Sequence, residues 1–288
     1  MPHEASTAPD VVRIHAFIIS WNGRAEAAMK IAHEISEHVD ELTVIHSDPS
    51  GVAPAGTRGW EIVPDSYFYG MKFKRSLELF GSDVMLQVQA DASCDDWAAL
   101  VAAARRAFTV SANVAVWAPD VNFTPWPARL TTLNTAAGPL RHVAIIDGIV
   151  WALSAEVCER LTAFDYRANN VGWGIDWAAA AFALATGRDV LVDISIHVEH
   201  PMTRGYDTSD ATAQMDAFLD DLDQREQAMR NLVAGFLAPR RSDRPLRDLL
   251  SMAYRAIRHQ LRVLLDRVTG QASPPVREIP APDGSTPG

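Results

Sequence analysis

Residues 14–23 have the sequence IHAFIISWNG, a nearly continuous apolar run that ends in a polar turn. Such a run is typical of a strand buried on both faces of a sheet. A helical pattern follows, with Ala27, Ile31 and Ile35 on one face, and residues 42–46 (LTVIH) form a second apolar run. The order strand, helix, strand predicts a parallel βαβ unit with a right-handed crossover.

The same alternation continues to about residue 196. Further strands are predicted at 59–63, 83–88, 114–117, within 142–153 and at 189–196, and helices at 68–80, 94–108, 155–164 and 176–185. Residues 118–141 hold four prolines and no clear period, which predicts a long functional or mobile loop. The pattern as a whole predicts an α/β fold with a mixed, mostly parallel sheet flanked by helices.

Composition narrows the classes of protein that this chain can belong to. It has 288 residues, 48% of them hydrophobic, and a net charge of -10, which argues against nucleic-acid binding. Its two cysteines, Cys94 and Cys158, lie far apart, as expected in a reduced, cytoplasmic setting. No apolar run reaches the roughly 18 residues that span a bilayer, and residues 1–10 lack the apolar segment of a signal peptide. We expect a cytoplasmic protein whose membrane contact, if any, is peripheral, at the inner face.

Four segments are predicted along the chain. Residues 1–10 form a flexible tail, 11–206 the α/β domain, 207–269 a helical extension, and 270–288 a disordered tail rich in Pro, Gly and Ser. The last predicted helix, at about 245–268, is locally rich in arginine. Its apolar stripe is expected to pack on the domain or on another copy of the chain, and the alternative is that it lies on an anionic membrane.

Polar or aromatic side chains stand at or just beyond the ends of four predicted strands: Trp21, Asp48, Asp91 and His200. In an open α/β sheet, ligands bind beyond the carboxyl ends of the strands. Asp91 and His200 suit a divalent metal, and hard oxygen ligands favour Mg²⁺ or Mn²⁺. The competing interpretations are a turn or helix cap for each aspartate and an ordinary loop histidine for His200.

Residues 172–176, GWGID, combine a flexible glycine loop, a large aromatic side chain and a carboxylate at the start of a predicted helix. This combination suits the binding of a polar substrate and the removal of a proton from it. The alternatives are a helix N-cap for Asp176 and a core position for Trp173.

Taken together, these motifs resemble the nucleotide-sugar-dependent glycosyltransferases of the GT-A fold, closest to family 2 and related bacterial enzymes. The resemblance covers about residues 12–206. FIISWNGR (17–24) is similar to the opening strand and loop of that family, and QAD (89–91) stands where its Asp-x-Asp metal motif stands. GWGID resembles the Gly-Trp-Gly-acidic motif of inverting members, and His200 matches a further metal ligand.

The resemblance implies an inverting transfer of a sugar from a nucleotide-sugar, with UDP the commonest donor nucleotide, to a saccharide or glycoconjugate acceptor. Asp176 is then the general base, and Mn²⁺ or Mg²⁺ is held by Asp91 and His200. The implied donor and nucleotide contacts are Ser20, Trp21, Asp48, Lys74, Gln89, Ala90 and Asp91. The implied acceptor and sugar contacts are Asp147, Gly148, Gly172 and Trp173. For Lys74 a solvated helix face is the alternative, and for Asp147-Gly148 a plain turn.

The chain departs from the family pattern at Gln89, which replaces the first aspartate of the metal motif. One negative charge is lost, which leaves a metal-independent enzyme open. A sugar-1-phosphate nucleotidyltransferase is the rival enzyme, but it requires a glycine-rich basic loop after the first strand, where this chain has SWNG (20–23). A non-catalytic binding protein on the same fold is the other rival.

Overall fold

The computed structural model describes residues 12–122, 124–135, 138–201 and 207–242. The predicted tails and the arginine-rich helix at 245–268 lie outside these residues. The strands are β1 (Ile14–Trp21), β2 (Glu41–Ser47), β3 (Glu61–Val63), β4 (Val84–Gln89), β5 (Ser93–Cys94), β6 (Val114–Val121), β7 (Thr132–Thr135), β8 (Leu140–Val143), β9 (Val150–Ser154) and β10 (Asp189–Glu199). The helices are α1 (Ala25–Ile35), α2 (Tyr69–Leu79), α3 (Trp97–Val110), α4 (Ala128–Thr131), α5 (Ala155–Thr162), α6 (Ile175–Ala185), α7 (Thr208–Leu219) and α8 (Gln224–Ser242).

In the described part of the chain, all ten strands belong to one sheet, in the order β3-β2-β1-β4-β9-β6-β10-β8-β7, with β5 paired to β10. The pairs β1–β2, β2–β3, β1–β4 and β6–β10 are parallel. Strand β9 runs antiparallel between β4 and β6, and β5 and β8 run antiparallel to β10. Most strands therefore point the same way, and the predicted mixed, mostly parallel sheet is confirmed.

Strand β1 lies at the centre of both hydrophobic cores. Ile14, Ala16 and Ile18 face a cluster that includes residues of α1 and α3, whereas Phe17 and Ile19 face a cluster that includes residues of α2 and α6. Successive side chains of a strand point to opposite faces, so an uninterrupted apolar run is what a strand covered on both sides requires.

Residues 118–141 do not form the long loop that the prolines suggested. Strand β6 continues to Val121, α4 follows, and β7 and β8 form an antiparallel hairpin. Pro119 lies beside the register shift between β6 and β10, and Pro127 is the residue before α4. Proline is tolerated at bulges and helix starts, and four-residue elements are too short to show a period.

The first helices of the C-terminal extension pack on the domain. Phe218 of α7 contacts the ring of Phe164 with 4.7 Å between ring centroids, and the buried Glu226 of α8 pairs with Arg160 at 2.6 Å. In the part of the chain that the structure describes, no helix is long and apolar enough to cross a membrane.

Candidate functional site

Four of the predicted site residues lie at one edge of the sheet. Trp21 is the last residue of β1, Asp48 follows β2, Asp91 lies two residues beyond β4, and His200 follows β10. These strands run in the same direction, so their carboxyl ends share one edge, as the sequence predicted.

Asp91 and His200 come together across this edge. The Nε2 atom of His200 lies 3.5 Å from Oδ1 of Asp91, and both side chains are largely buried. That Oδ1 atom has no hydrogen-bond partner, although it is buried. The backbone N–H of His200 donates to Asn122 Oδ1 at 3.0 Å, which holds the loop after β10. A buried carboxylate oxygen beside an imidazole fits a divalent cation.

The described residues supply few ligands for such a cation. Among the described residues, no group of three or more His, Cys, Asp or Glu side chains is arranged to hold a metal ion. A cation at Asp91 and His200 therefore needs further oxygen ligands from phosphate and water, which is how Mg²⁺ is commonly held.

The side-chain amide of Gln89 is bonded to the turn before β9. Its Nε2 group donates to the carbonyl of Gly148 at 3.3 Å, and the N–H of Ala90 donates to the carbonyl of Ile19 at 2.9 Å. A carboxylate at position 89 could not donate to Gly148. This contact gives a physical account of the glutamine where the family resemblance leads one to expect aspartate.

The end of β1 is contacted by a lysine that the sequence did not single out. Lys72 is 2% exposed, donates from Nζ to the carbonyl of Ser20 at 2.8 Å, and lies 5.7 Å from the centroid of the Trp21 ring. Ser20 Oγ is in turn hydrogen-bonded to Nδ1 of the buried His46 at 2.9 Å. Burial lowers the pKa of His46, and the charge of Lys72 lowers it further.

Lys74, the lysine expected at the donor, faces elsewhere. It forms an ion pair with Glu78 on the partly exposed side of α2. Residues two apart on a helix are rotated by about 200° around its axis and lie on nearly opposite faces, so Lys72 and Lys74 cannot serve the same site. The signal for Lys72 was its place on the buried face of α2, four residues before the buried Ser76.

Asp48 closes an Asx turn. Its Oδ1 accepts hydrogen bonds from the backbone N–H and the hydroxyl of Ser50. The hydroxyl bond, followed by the backbone bond, lowers the pKa of Asp48, so the carboxylate stays ionised at neutral pH. Its second oxygen is available to a hydroxyl or N–H donor of a ligand.

The loop before α6, which the sequence predicted to be a flexible glycine loop, makes several hydrogen bonds in the structure. The buried Asn169 accepts from the N–H of Gly172 at 3.0 Å and donates to the carbonyl of Trp173 at 2.7 Å. Gly172 and Gly174 both have φ of 88°. A Cβ at Gly172 would lie 2.4 Å from Cδ1 of Tyr69. Both a left-handed backbone and a close approach therefore require glycine at 172.

Asp176 lies in the first turn of α6, partly buried. Gly174 occupies the N-cap position, so the N-cap alternative for Asp176 does not hold. Burial, followed by the negative charge of Asp147, raises the pKa of Asp176 from its ordinary 3.8 to about 7. The N–H of Trp177, which donates to Oδ1 at 2.9 Å, opposes this rise only in part. A carboxyl group with a pKa near 7 suits proton transfer at neutral pH.

Aromatic side chains stand next to Asp176. Trp177 packs edge-on against Trp126, with 5.3 Å between ring centroids, and both are partly exposed, as is Trp173. Trp126 belongs to the proline-rich segment after β6, and Trp177 belongs to α6. The proline-rich segment therefore reaches the helix that carries Asp176, where aromatic faces can contact a sugar.

The Asp147-Gly148 turn lies between Gln89 and Tyr69. The carbonyl of Gly148 faces Gln89 on one side and the hydroxyl of Tyr69, 3.0 Å away, on the other. The charge of Asp147 acts on both Tyr69 and Asp176. Tyr69 was not predicted from the sequence, because nothing local distinguishes it from a core tyrosine.

No protein-family model matches the sequence, and no curated protein matches it. Among solved structures, GalNAc-T7 with UDP, GalNAc and Mn²⁺ is similar to this chain, with a TM-score of 0.53 and 10% identity over 76% of this chain and 50% of that one. This chain thus spans half the length of GalNAc-T7. The mannosyltransferase PcManGT of Pyrobaculum calidifontis, with GDP-Man and Mn²⁺, has a TM-score of 0.48 and 15% identity over 88% and 82% of the two chains.

Glucosyl-3-phosphoglycerate synthase of Mycobacterium tuberculosis, with Mn²⁺, UDP and phosphoglyceric acid, has a TM-score of 0.48 and 15% identity over 75% and 78% of the two chains. The similarity to GalNAc-T7 shows that this chain has the fold of the GT-A glycosyltransferases.

Proposed function

We propose that this chain, which has the GT-A fold, is an inverting glycosyltransferase that moves a sugar from a nucleotide-sugar to an acceptor hydroxyl. One observation carries the proposal. The turn at Asp147-Gly148 neighbours both groups: the charge of Asp147 helps to raise the pKa of Asp176 to about 7, and the carbonyl of Gly148 accepts from Gln89, two residues before Asp91, whose buried carboxylate faces His200. GalNAc-T7, with the same fold, was crystallised with UDP, GalNAc and Mn²⁺, which supports this donor class.

In the proposed reaction, Asp176 takes the proton of the acceptor hydroxyl while that oxygen attacks the anomeric carbon. The sugar becomes oxocarbenium-like, and the bond to the nucleoside diphosphate breaks on the opposite face, so the anomeric configuration inverts. A carboxylate with a pKa near 7 holds the proton more strongly than an ordinary aspartate does. Trp173, Trp177 and Trp126 pack on the acceptor and exclude water, because donor hydrolysis is the competing reaction.

On the donor side, Ser20, Trp21 and Asp48 contact the nucleoside, and Lys72 takes the place that the sequence suggested for Lys74. Asp91 and His200 would hold Mn²⁺ or Mg²⁺, which, when bound, neutralises negative charge on the diphosphate leaving group. Gln89 and the Asp147-Gly148 turn border the donor sugar. The acceptor class is a saccharide or glycoconjugate.

The test is a panel of UDP-, GDP- and dTDP-sugars with Mn²⁺. Thermal stabilisation by one donor and slow release of its nucleoside diphosphate support the enzyme, and the anomeric configuration of the product, read by proton NMR, tests inversion. Release of pyrophosphate from a nucleoside triphosphate and a sugar 1-phosphate would instead support the nucleotidyltransferase. Binding of a donor without release of its nucleoside diphosphate would support a binding protein.

We expect Asp91→Asn and His200→Ala to weaken Mn²⁺-dependent donor binding, because each removes a ligand from the buried pair. Each should raise the Kd for the nucleoside diphosphate about 10-fold or more in the presence of Mn²⁺, measured by calorimetry. His197→Ala is the matched control, since the side chain of His197, near the end of β10, is 71% exposed and faces Asp120. Equal affinities with and without Mn²⁺ in the unmodified protein would contradict metal use.

The two lysines of α2 should behave oppositely. Lys72→Met removes the buried cation that contacts Ser20 and is expected to weaken nucleoside diphosphate binding by about 10-fold or more, the equivalent of one charge-assisted hydrogen bond. Lys74→Met removes a partly exposed ion pair and is expected to leave binding within about 2-fold. The same calorimetric titration measures both. A larger loss of nucleoside diphosphate affinity in Lys74→Met than in Lys72→Met would support Lys74 as the donor contact, as the sequence suggested.

A further inference from the structure

We infer that Tyr69 is a positioning residue that holds two halves of the site in register: the donor half, at the ends of the strands, and the acceptor half, at the loop before α6. Its hydroxyl acts through the Gly148 turn, and its ring acts through Gly172 in the loop before α6. This inference rests on the proposed function. It concerns a side chain that contacts three separate segments: the end of β4, the turn before β9 and the loop before α6.

The hydroxyl of Tyr69 has two acceptors. It lies 2.6 Å from Oε1 of Gln87 and 3.0 Å from the carbonyl of Gly148. Gln87 is fully buried, and its Oε1 also accepts from Nε1 of Trp151 at 2.5 Å. A phenol has one proton to donate, so Gln87 and Gly148 compete for it. Both oxygens lie within hydrogen-bond distance, so the hydroxyl can donate to either of them or share its proton between them.

The carbonyl of Gly148 accepts hydrogen bonds from two side chains. Its carbonyl has the Tyr69 hydroxyl at 3.0 Å and the Gln89 amide at 3.3 Å, one from each half of the site. Burial, and then the charge of Asp176, raise the pKa of Tyr69 well above its usual range, so the phenol remains protonated and able to donate. Loss of the hydroxyl leaves the carbonyl of Gly148 with the longer of these two bonds.

The ring of Tyr69 supports the loop before α6. A Cβ at Gly172 would lie 2.4 Å from Cδ1 of Tyr69, so ring and loop backbone are in direct contact. The helix start next to it is bonded to the same loop, because the N–H of Gly70 donates to the carbonyl of Asn170 at 2.8 Å. Tyr69→Phe keeps this ring contact and removes only the bond to Gly148 and Gln87, which isolates the hydroxyl.

The experiment compares Tyr69→Phe with Tyr166→Phe. Tyr166 is also fully buried and donates its hydroxyl to a carbonyl, that of Leu161 at 3.1 Å, but it does not touch the Gly148 turn. Both variants lose one buried hydroxyl bond, so similar falls in Tm of a few °C are expected. Only Tyr69→Phe is expected to lower kcat, by about 10- to 100-fold, because misplacement of reacting groups by about 1 Å costs that much. The donor KM should stay within about 2-fold, because the donor contacts remain.

A second readout does not need turnover. The backbone amide signals of Gly148 and Ile149 in a nitrogen-15 NMR spectrum should shift or broaden in Tyr69→Phe and stay unchanged in Tyr166→Phe. Equal kcat in the two variants, or Gly148 signals that Tyr69→Phe leaves unchanged, would overturn the inference. If the unmodified protein turns over no donor, the proposed function fails, and the NMR comparison still decides whether Tyr69 holds the turn.

Discussion

Asp176→Asn is expected to lower glycosyl transfer by at least about 10³-fold, the largest effect of any single change in the site. Asparagine has nearly the same shape but cannot accept the proton of the acceptor hydroxyl, and general base catalysis contributes about 10²–10⁴-fold. The nucleoside diphosphate should bind with nearly unchanged Kd, because its proposed contacts lie at the ends of β1, β2 and β4. Transfer is measured as kcat with the donor found in the panel, and binding by calorimetry.

Asp210→Asn is the control for this substitution, since Asp210 lies in the first turn of another helix, α7, and is exposed. It should leave kcat unchanged. Loss of nucleotide binding in Asp176→Asn that matches the loss of transfer would show instead that Asp176 is structural or binds the donor.

The pKa of Asp176 also fixes the sign of two pH effects. The base must be ionised, so kcat/KM of the unmodified protein should rise about tenfold per pH unit below pH 7 and level off above it. Stability changes in the opposite direction. Between pH 3.8 and about 7 the folded protein binds a proton that the unfolded chain has lost, so stability falls as pH rises through this window. Asp176→Asn removes this cost. At pH 8 its free energy of unfolding should exceed that of the unmodified protein by at most about 4 kcal/mol, which is seen as a higher Tm. The difference should be smaller at pH 5.

Gly70→Ala is expected to cause the largest loss of stability. A Cβ at Gly70 would lie 1.9 Å from the carbonyl oxygen of Asn169 and 3.0 Å from that of Asn170. Both are backbone atoms, so no side-chain rotation relieves the overlap. The loop must move away from α2 and lose the bond from Gly70 to Asn170. Overpacking of about 1–3 kcal/mol plus about 1 kcal/mol for the lost bond predicts a fall in unfolding free energy of several kcal/mol, measured by urea denaturation.

Gly81→Ala is the matched control, because a Cβ at Gly81 meets nothing within 4 Å and the backbone there is not left-handed. It should change the unfolding free energy by no more than about 0.5 kcal/mol. Because the displaced loop carries Trp173 and leads into Asp176, Gly70→Ala should also reduce transfer at temperatures where the protein remains folded. A Gly70→Ala protein as stable as Gly81→Ala would show that α2 and the loop are further apart than the structure places them.

The fold was predictable because its signals are local. The apolar run of β1 and the alternation of strand and helix patterns require only the periodicity of neighbouring residues, and they gave the mixed, mostly parallel sheet. The ends of the strands followed from the same patterns, so Trp21, Asp48, Asp91 and His200 were expected at one edge before any contact was known. The prediction of a long loop after β6 was wrong because α4, β7 and β8 are too short to show a period in the sequence.

The sequence by itself therefore determined the class of fold and placed Trp21, Asp48, Asp91 and His200 at one edge of the sheet, and it predicted Asp176 as the carboxylate that accepts a proton. Only the tertiary structure decided that Lys72 and not Lys74 faces Ser20, that Gln89 donates to the Gly148 carbonyl, and that Asn169 bonds the loop before α6. The reason is physical. The Tyr69 hydroxyl and the Gly148 carbonyl are 79 residues apart in the chain, and the Lys72 and Ser20 groups 52. Such contacts, and the burial that raises the pKa of Asp176, exist only once distant segments pack together.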